Sequence, residues 1–318
     1  MNCINKELFD SLTDYAYVCA ASYEARTITA ATFVGRKPPA KAYVFHAVDC
    51  CPEIDRSVMR LQKLFEGCEL CETWLRDPVS TARNIGEFVE LIVRSGVKEV
   101  LIDITTFTHE QLLILLKILW LKKLYFTKII CVYVHSREYA CGYKEREKWL
   151  SKGCKEVRTI LVIGYPGMML PGQPMVLMVL AGFEYERAVA VITQMEPDLL
   201  KVGIGRAADI ESEWHKSTIE VFERLLQDFC AFRDNVEKFE FKSYDMDEAG
   251  EILKREVQKV SQECNLVVVP MNTKLSTLAL ARLAMDDPRM QVCYAQPDEY
   301  NIDAYSLPGD RLTFSEFC

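Results

Sequence analysis

Two short turns carry the residue types that hold anions. Asp103-Ile-Thr-Thr-Phe-Thr108 follows an apolar run and precedes a helical one, and Pro270-Met-Asn-Thr-Lys274 does the same in the second half. Backbone N–H groups at a helix start attract negative charge, and hydroxyls with a lysine add hydrogen bonds and a cation. The candidates are Thr105, Thr106 and Thr108, with Asn272, Thr273 and Lys274. Thr, Asn and Ser are also the preferred helix caps, so capping alone accounts for every one of these except the lysine. A cation at a helix start opposes the dipole unless something anionic sits beside it, so Lys274 favours the ligand reading.

A second set lies after the first apolar run of each half: Glu24 and Arg26, then Glu184, Glu186 and Arg187. An acid followed closely by an arginine binds a polar ligand, orients a nucleophile, or forms a structural ion pair; spacing alone does not separate these. Tyr139 and Tyr300 stand past the last run of each half, placed to stack on a base or to line a rim. His109, His135 and His215 have no spacing that suggests a metal or a nucleophile's partner. No G-x-S-x-G, phosphate-loop lysine or G-x-G-x-x-G follows any strand, so no cofactor is expected. Cys50, Cys51, Cys68 and Cys71 lie near His46, and a C-x-x-C is half of a zinc signature. Residues 68–75 read better as a strand, where positions three apart face opposite ways, so no metal site is expected there.

The elements that position these residues come from periodicity. Strands are expected at 17–21, 42–47, 68–75, 100–104 and 128–134, separated by amphipathic helical stretches, one running through 34, one carrying Val58, Leu61, Leu64 and Phe65, and two at about 80–95 and 109–121. The second half repeats the order, with strands at 175–181, 199–204, 236–241, 266–269 and 290–294 and helices reaching 195 and spanning 216–232, 247–262 and 275–285. Such alternation means βαβ units around mostly parallel sheets. Ala-Ser-Tyr-Glu-Ala-Arg (21–26) matches Ala-Gly-Phe-Glu-Tyr-Glu-Arg (181–187), and Tyr133-Val-His-Ser-Arg-Glu-Tyr139 matches Tyr294-Ala-Gln-Pro-Asp-Glu-Tyr300. Two motifs in one order at one spacing argue a tandem duplication of a Rossmann-like unit. The expected division is a first unit at 1–165, a connector at 166–174 rich in glycine and proline, and a second unit at 175–318. Residues 157–163 are expected to add one more strand to the first unit.

The bulk properties set limits. A net charge of −8 disfavours broad binding to nucleic-acid backbones. The most apolar stretch, 112–126, is interrupted by Lys117, Lys122 and Lys123 and is too short to span a bilayer, so no membrane association is expected. The first fifteen residues lack an apolar signal core, and thirteen cysteines then read as reduced thiols of a cytoplasmic protein.

The Asn272-Thr273-Lys274 turn, between an apolar strand and an apolar helix, resembles the Gly-Thr-Lys-type turn of CARF domains, with Thr105, Thr106 and Thr108 as a degenerate counterpart. It departs from that family's glycine-rich turn. CARF domains are Rossmann-like sensors of cyclic nucleotides in bacterial antiviral systems, and two units in one chain look like the plan of SAVED domains. The resemblance implies ligand sensing without catalysis. The function expected is a binding protein for a nucleotide-like anionic small molecule, with a protein partner in a defence complex. An enzyme acting on a nucleotide or nucleoside, with Glu24 or Glu184 as base or nucleophile, is the alternative; a structural subunit of a larger assembly is the third reading.

Overall fold

The computed structural model describes residues 1–140, 149–159, 164–207, 213–230 and 235–318. In chain order the elements are β1 (Asn2–Ile4), α1 (Lys6–Asp10), β2 (Tyr15–Ala21), α2 (Arg26–Val34), β3 (Lys41–Ala47), α3 (Glu53–Leu64), β4 (Glu69–Thr73), α4 (Pro78–Arg94), β5 (Glu99–Asp103), α5 (His109–Leu121), β6 (Lys128–Tyr139), β7 (Ser151–Lys152) and β8 (Glu156–Thr159). They continue with β9 (Met175–Ala181), α6 (Tyr185–Met195), β10 (Leu199–Arg206), α7 (Glu213–Cys230), β11 (Val236–Lys242), α8 (Met246–Gln258), β12 (Asn265–Pro270), α9 (Lys274–Asp286), β13 (Met290–Gln296), β14 (Glu299–Tyr300) and β15 (Ser306–Glu316).

The strand order is the same in both large sheets. One runs β4-β3-β2-β5-β6-β15-β1 and the other β11-β10-β9-β12-β13-β8. In each, five parallel strands are followed by an antiparallel one, β15 against β6 and β8 against β13. Matching orders and matching directions establish the duplicated α/β unit. The central strands are fully enclosed: every residue of β2 and of β12 is buried, the continuous apolar pattern of parallel strands covered on both faces. In the first unit Tyr15, Tyr17, Leu101 and Ile130 pack under α1, α2 and α3, while Phe45, Phe88 and Phe107 pack under α4 and α5. In the second, Val179, Val202 and Val267 form the core with Val191 of α6 and Leu225 of α7.

The domain boundaries differ from the sequence expectation. One compact unit is Met1–Cys141 with Ala304–Cys318, and the other is Gly142–Asp303. The segment expected as a first-unit strand at 157–163 is β8 over its described part, and it joins the second sheet; residues 160–163 lie outside the described residues. Conversely the last strand, β15, belongs to the first sheet between β6 and β1. The segment following each fifth strand thus supplies the antiparallel strand of the other sheet. Hydrophobic alternation marks a strand but not its partner, which is why the exchange is invisible to periodicity. Residues 166–174 are part of the second unit: Pro166 bridges Gln291, and Leu170 accepts from and donates to the side-chain amide of Asn265.

Candidate functional site

The strand order reverses between the first and fourth strands of each unit, so the turns after β2 and β5, and after β9 and β12, flank the crevice where open α/β sheets bind ligands. In the second unit Thr273 caps α9, its side chain accepting from Ser276 N–H at 3.3 Å and donating to the carbonyl of Ser243, just past β11, at 2.5 Å. Asn272 is not a cap. Its amide donates to the carbonyl of Ala181 at the end of β9 at 2.5 Å, and its Oδ1 accepts from Thr273 N–H at 2.9 Å. Gly182 and Gly205 make room for this tether, since a Cβ on either would collide with Met271 or with the Asn272 amide itself. Asn272 and Thr273 therefore shape the turn by binding backbone at the ends of the first and third strands. Lys274 then opens the helix, with no acidic residue in its first turn, where N–H groups have no intrahelical acceptor.

The first unit builds the same tether from a different residue. Thr106 donates to the carbonyl of Ala20 at the end of β2 at 2.7 Å, the counterpart of Asn272 on Ala181. Thr108 caps α5 in a reciprocal capping box with Gln111, whose amide also donates to Thr73, the last residue of the third strand, at 3.0 Å. Thr105 faces inward. Its hydroxyl donates to Asp103 and accepts from Val134 N–H at 3.0 Å, and its own N–H donates to Asp103 Oδ1 at 3.0 Å. Asp103 is 1% exposed, with Tyr17 donating to its other oxygen at 3.2 Å. Burial pushes this carboxyl up to about 6 against the opposing pull of its hydrogen bonds and of Arg26.

The arginine sets come together as two buried clusters of one design. Arg26 donates to Glu24 at 2.6 Å and to the carbonyl of Val134 at 3.1 Å, beside the rings of Tyr133 and Tyr139, whose hydroxyls lie 3.0 Å apart. Arg187 pairs with Glu184 and donates to the carbonyl of Ala295 at 2.6 Å, near Tyr294, whose hydroxyl is 3.3 Å from that of Tyr300. Each cluster also contains a serine that the sequence did not single out. Ser306, paired with Tyr139 across β15 and β6, donates to Glu24 at 2.5 Å; Ser151, paired with Tyr300 across β7 and β14, donates to Glu184. Carboxylate and ring partners hold the Arg26 guanidinium well above its ordinary range, and burial does the same for the Tyr139 hydroxyl. These groups tie the first-strand turn to the end of the fifth strand. Glu186 stands apart, accepting from Gly153 N–H at 3.1 Å.

The histidines serve structure locally. Arg311 donates to His135 Nδ1 at 3.1 Å, so Nε2 keeps its proton and donates to Thr313 at 2.8 Å. Burial and the neighbouring arginines push this imidazole down to about 3. His215 Nδ1 accepts from Ala207 N–H at 3.4 Å. Cys68 packs against the core beneath α2 and α3, whereas Cys71 sits within β4 and feels Glu87 of α4. Among the described residues no three metal-ligating side chains gather, and the described cysteines are free thiols. No helix among the described residues is long and apolar enough to cross a membrane.

No family model and no curated protein matches this chain. Among solved structures, Can2 from Sulfobacillus thermosulfidooxidans in complex with cyclic tetra-adenylate is similar at 16% identity over 38% of this chain and 32% of that one, with a TM-score of 0.29. Leucoanthocyanidin reductase with NADPH from Vitis vinifera is similar at 8% identity over 86% and 88%, TM-score 0.27. UDP-GlcNAc 2-epimerase from Neisseria meningitidis bound to UDP-GlcNAc is similar at 9% over 81% and 77%, TM-score 0.27. Likeness at this level adds nothing to the architecture described above.

Proposed function

We propose that this chain is a binding protein for a nucleotide-like anionic small molecule, acting as a cytoplasmic sensor in a bacterial antiviral defence system. The observation that carries the reading is the start of α9. A turn braced at Ala181 and Ser243 presents a helix opening with Lys274, at the strand end where the sheet order reverses. The ligand contacts fall to Lys274 and the first-turn N–H groups, because Asn272 and Thr273 spend their side chains on the backbone. Thr105, Thr106 and Thr108, with the Glu24–Arg26 and Glu184–Arg187 clusters and Tyr139 and Tyr300, support the turns from behind. A defence-system protein would be the partner that reads the bound state. Isothermal calorimetry of the full chain against nucleoside mono- and diphosphates and cyclic oligonucleotides tests this. Saturable binding of a phosphate-bearing member is expected; binding of none of them overturns the proposal.

A further inference from the structure

Two surface features of this chain match each other in shape and in charge. One is a groove of about 450 Å³ between α8 and α9, floored by Met246, Ala279 and Leu283. Gly250 keeps it open, since a Cβ there would stand 3.9 Å from that of Ala279 and narrow the seam. The walls hold Asp247, Glu248, Glu251 and Asp286 against Lys254 and Arg282, a surplus of two negative charges. Asp247 and Glu248 have a local reason: they sit in the first turn of α8, where acids suit the dipole, and pair with Arg282 and Lys242. Glu251 and Asp286 do not. Glu251 follows Asp247 by four residues, a like-charge spacing that weakens a helix. Asp286 is the last residue of α9, where the dipole disfavours an acid, and that turn carries no basic residue.

The other feature is the knuckle at the end of α5. Leu121 is 70% exposed, and Leu124, in the single helical turn Lys123–Tyr125 that follows, is 96% exposed; Tyr125 is exposed as well. Apolar side chains grouped in the open mark an interaction site, where scattered ones do not. Cations flank this tip. Lys122 reaches Glu90 of α4, and the ammonium of the exposed Lys123 lies 3.6 Å from the centre of the Trp120 ring. Lys98, whose carbonyl accepts from Thr127 N–H at 2.8 Å, adds a further exposed cation to the same edge. An apolar floor between acidic walls thus has its complement in an apolar tip between lysines.

We propose that the α8–α9 groove of one copy receives the Leu121–Tyr125 knuckle of a second copy, with Leu124 on the apolar floor and Lys123 against Glu251 and Asp286. The lysine supplies the charge that the end of α9 lacks, and the groove covers the leucines that water surrounds in a single chain. The two copies use different surfaces, so the contact is heterologous and each keeps one unused half of the interface. It does not depend on the binding function proposed above.

Sedimentation velocity of the full chain over a concentration series tests this, on wild type and on two variants that each disable one half. Leu124→Glu removes the knuckle, and Glu251→Lys with Asp286→Lys removes the groove; all three positions are exposed, so thermal melts should match wild type. Wild type is expected to associate as concentration rises, and each variant alone to sediment as a monomer. An equimolar mixture of the two variants should form a one-to-one dimer and go no further, since one intact knuckle and one intact groove remain between them. Wild type that stays monomeric throughout, a variant that assembles as wild type does, or a mixture that stays monomeric overturns the proposal. Lys123→Glu disables the knuckle without altering an apolar side chain and should also be monomeric; its assembly as wild type would overturn the charge match.

Discussion

Ser306 donates to Glu24 at 2.5 Å across 282 positions of sequence, and Ser151 makes the same contact with Glu184 in the second unit. Both serines come from the segment that follows the other unit's fifth strand. Each buried Glu–Arg pair is thus completed by an exchanged piece of chain.

It follows that the first unit depends on the last fifteen residues. β15 lies between β6 and β1 and buries Leu312 and Phe314, the latter stacked on Phe9 at 5.6 Å. Phe314→Ala should cost about 3–5 kcal/mol, as truncation of a buried aromatic does. Ending the chain at residue 303 should abolish the cooperative transition of the first unit altogether. Denaturant unfolding followed by circular dichroism checks both; a truncated chain that unfolds like wild type would refute the assignment of β15.

Arg26 should be irreplaceable by lysine. Its guanidinium serves Glu24, the carbonyl of Val134 and Ser306 from one planar group, 3% exposed, and an ammonium cannot span those directions. Arg26→Ala leaves a buried carboxylate without its cation and should cost about 3–5 kcal/mol. Arg26→Lys should recover less than half of that in urea melts, whereas an exposed ion pair would show losses near 1 kcal/mol for either change.

Two buried groups give pH dependences of opposite sign. Asp103 titrates higher folded than unfolded, so the native state binds more protons between about 4 and 6 and stability falls as pH rises through that window. Displacement from 3.8 to about 6 corresponds to a cost on the order of 3 kcal/mol, complete above pH 6. His135 titrates lower folded than unfolded, so its contribution is present above about 6.5 and is lost as pH falls toward 3. The two slopes oppose each other in wild type. Asp103→Asn should therefore gain stability over wild type at pH 7.5 relative to pH 4.5, and His135→Gln should do the reverse. Chemical denaturation at the two pH values measures this; parallel profiles for wild type and Asp103→Asn would show that Asp103 does not titrate as described.

Much of this architecture was legible in sequence for a plain reason. Fully buried parallel strands such as YVCAA and LVVV are apolar throughout, and the helices between them keep their period. The repeated motifs were legible too, because Arg26 and Arg187 stand five and six residues past a first-strand end and both reach a fifth-strand carbonyl, at Val134 and Ala295. What sequence could not show was partnership over distance. Ser306 and Ser151 carry no motif, and nothing in residues 156–159 says which sheet they join. Nor did residue type separate the roles of neighbours: Asn272 and Thr273 are both good caps, yet only Thr273 caps, while Asn272 reaches back to the first strand. Asp103 read as the end of a strand because burial of a carboxylate leaves no mark on composition.

The central claim is that Lys274 meets a ligand and Asn272 holds the turn, and the two variants should separate cleanly. Lys274→Ala should lower affinity for the bound nucleotide by roughly ten- to a hundred-fold, the loss of a charge-assisted contact worth on the order of 1.5–3 kcal/mol, with the melting temperature nearly unchanged. Asn272→Ala should instead lower stability by about 1–3 kcal/mol, since it leaves the carbonyl of Ala181 without its donor. Calorimetry and thermal melts on both proteins, at one ionic strength, decide it. Loss of affinity in Lys274→Ala without loss of stability is the predicted result; a Lys274→Ala protein that melts early and binds as wild type does would contradict the account.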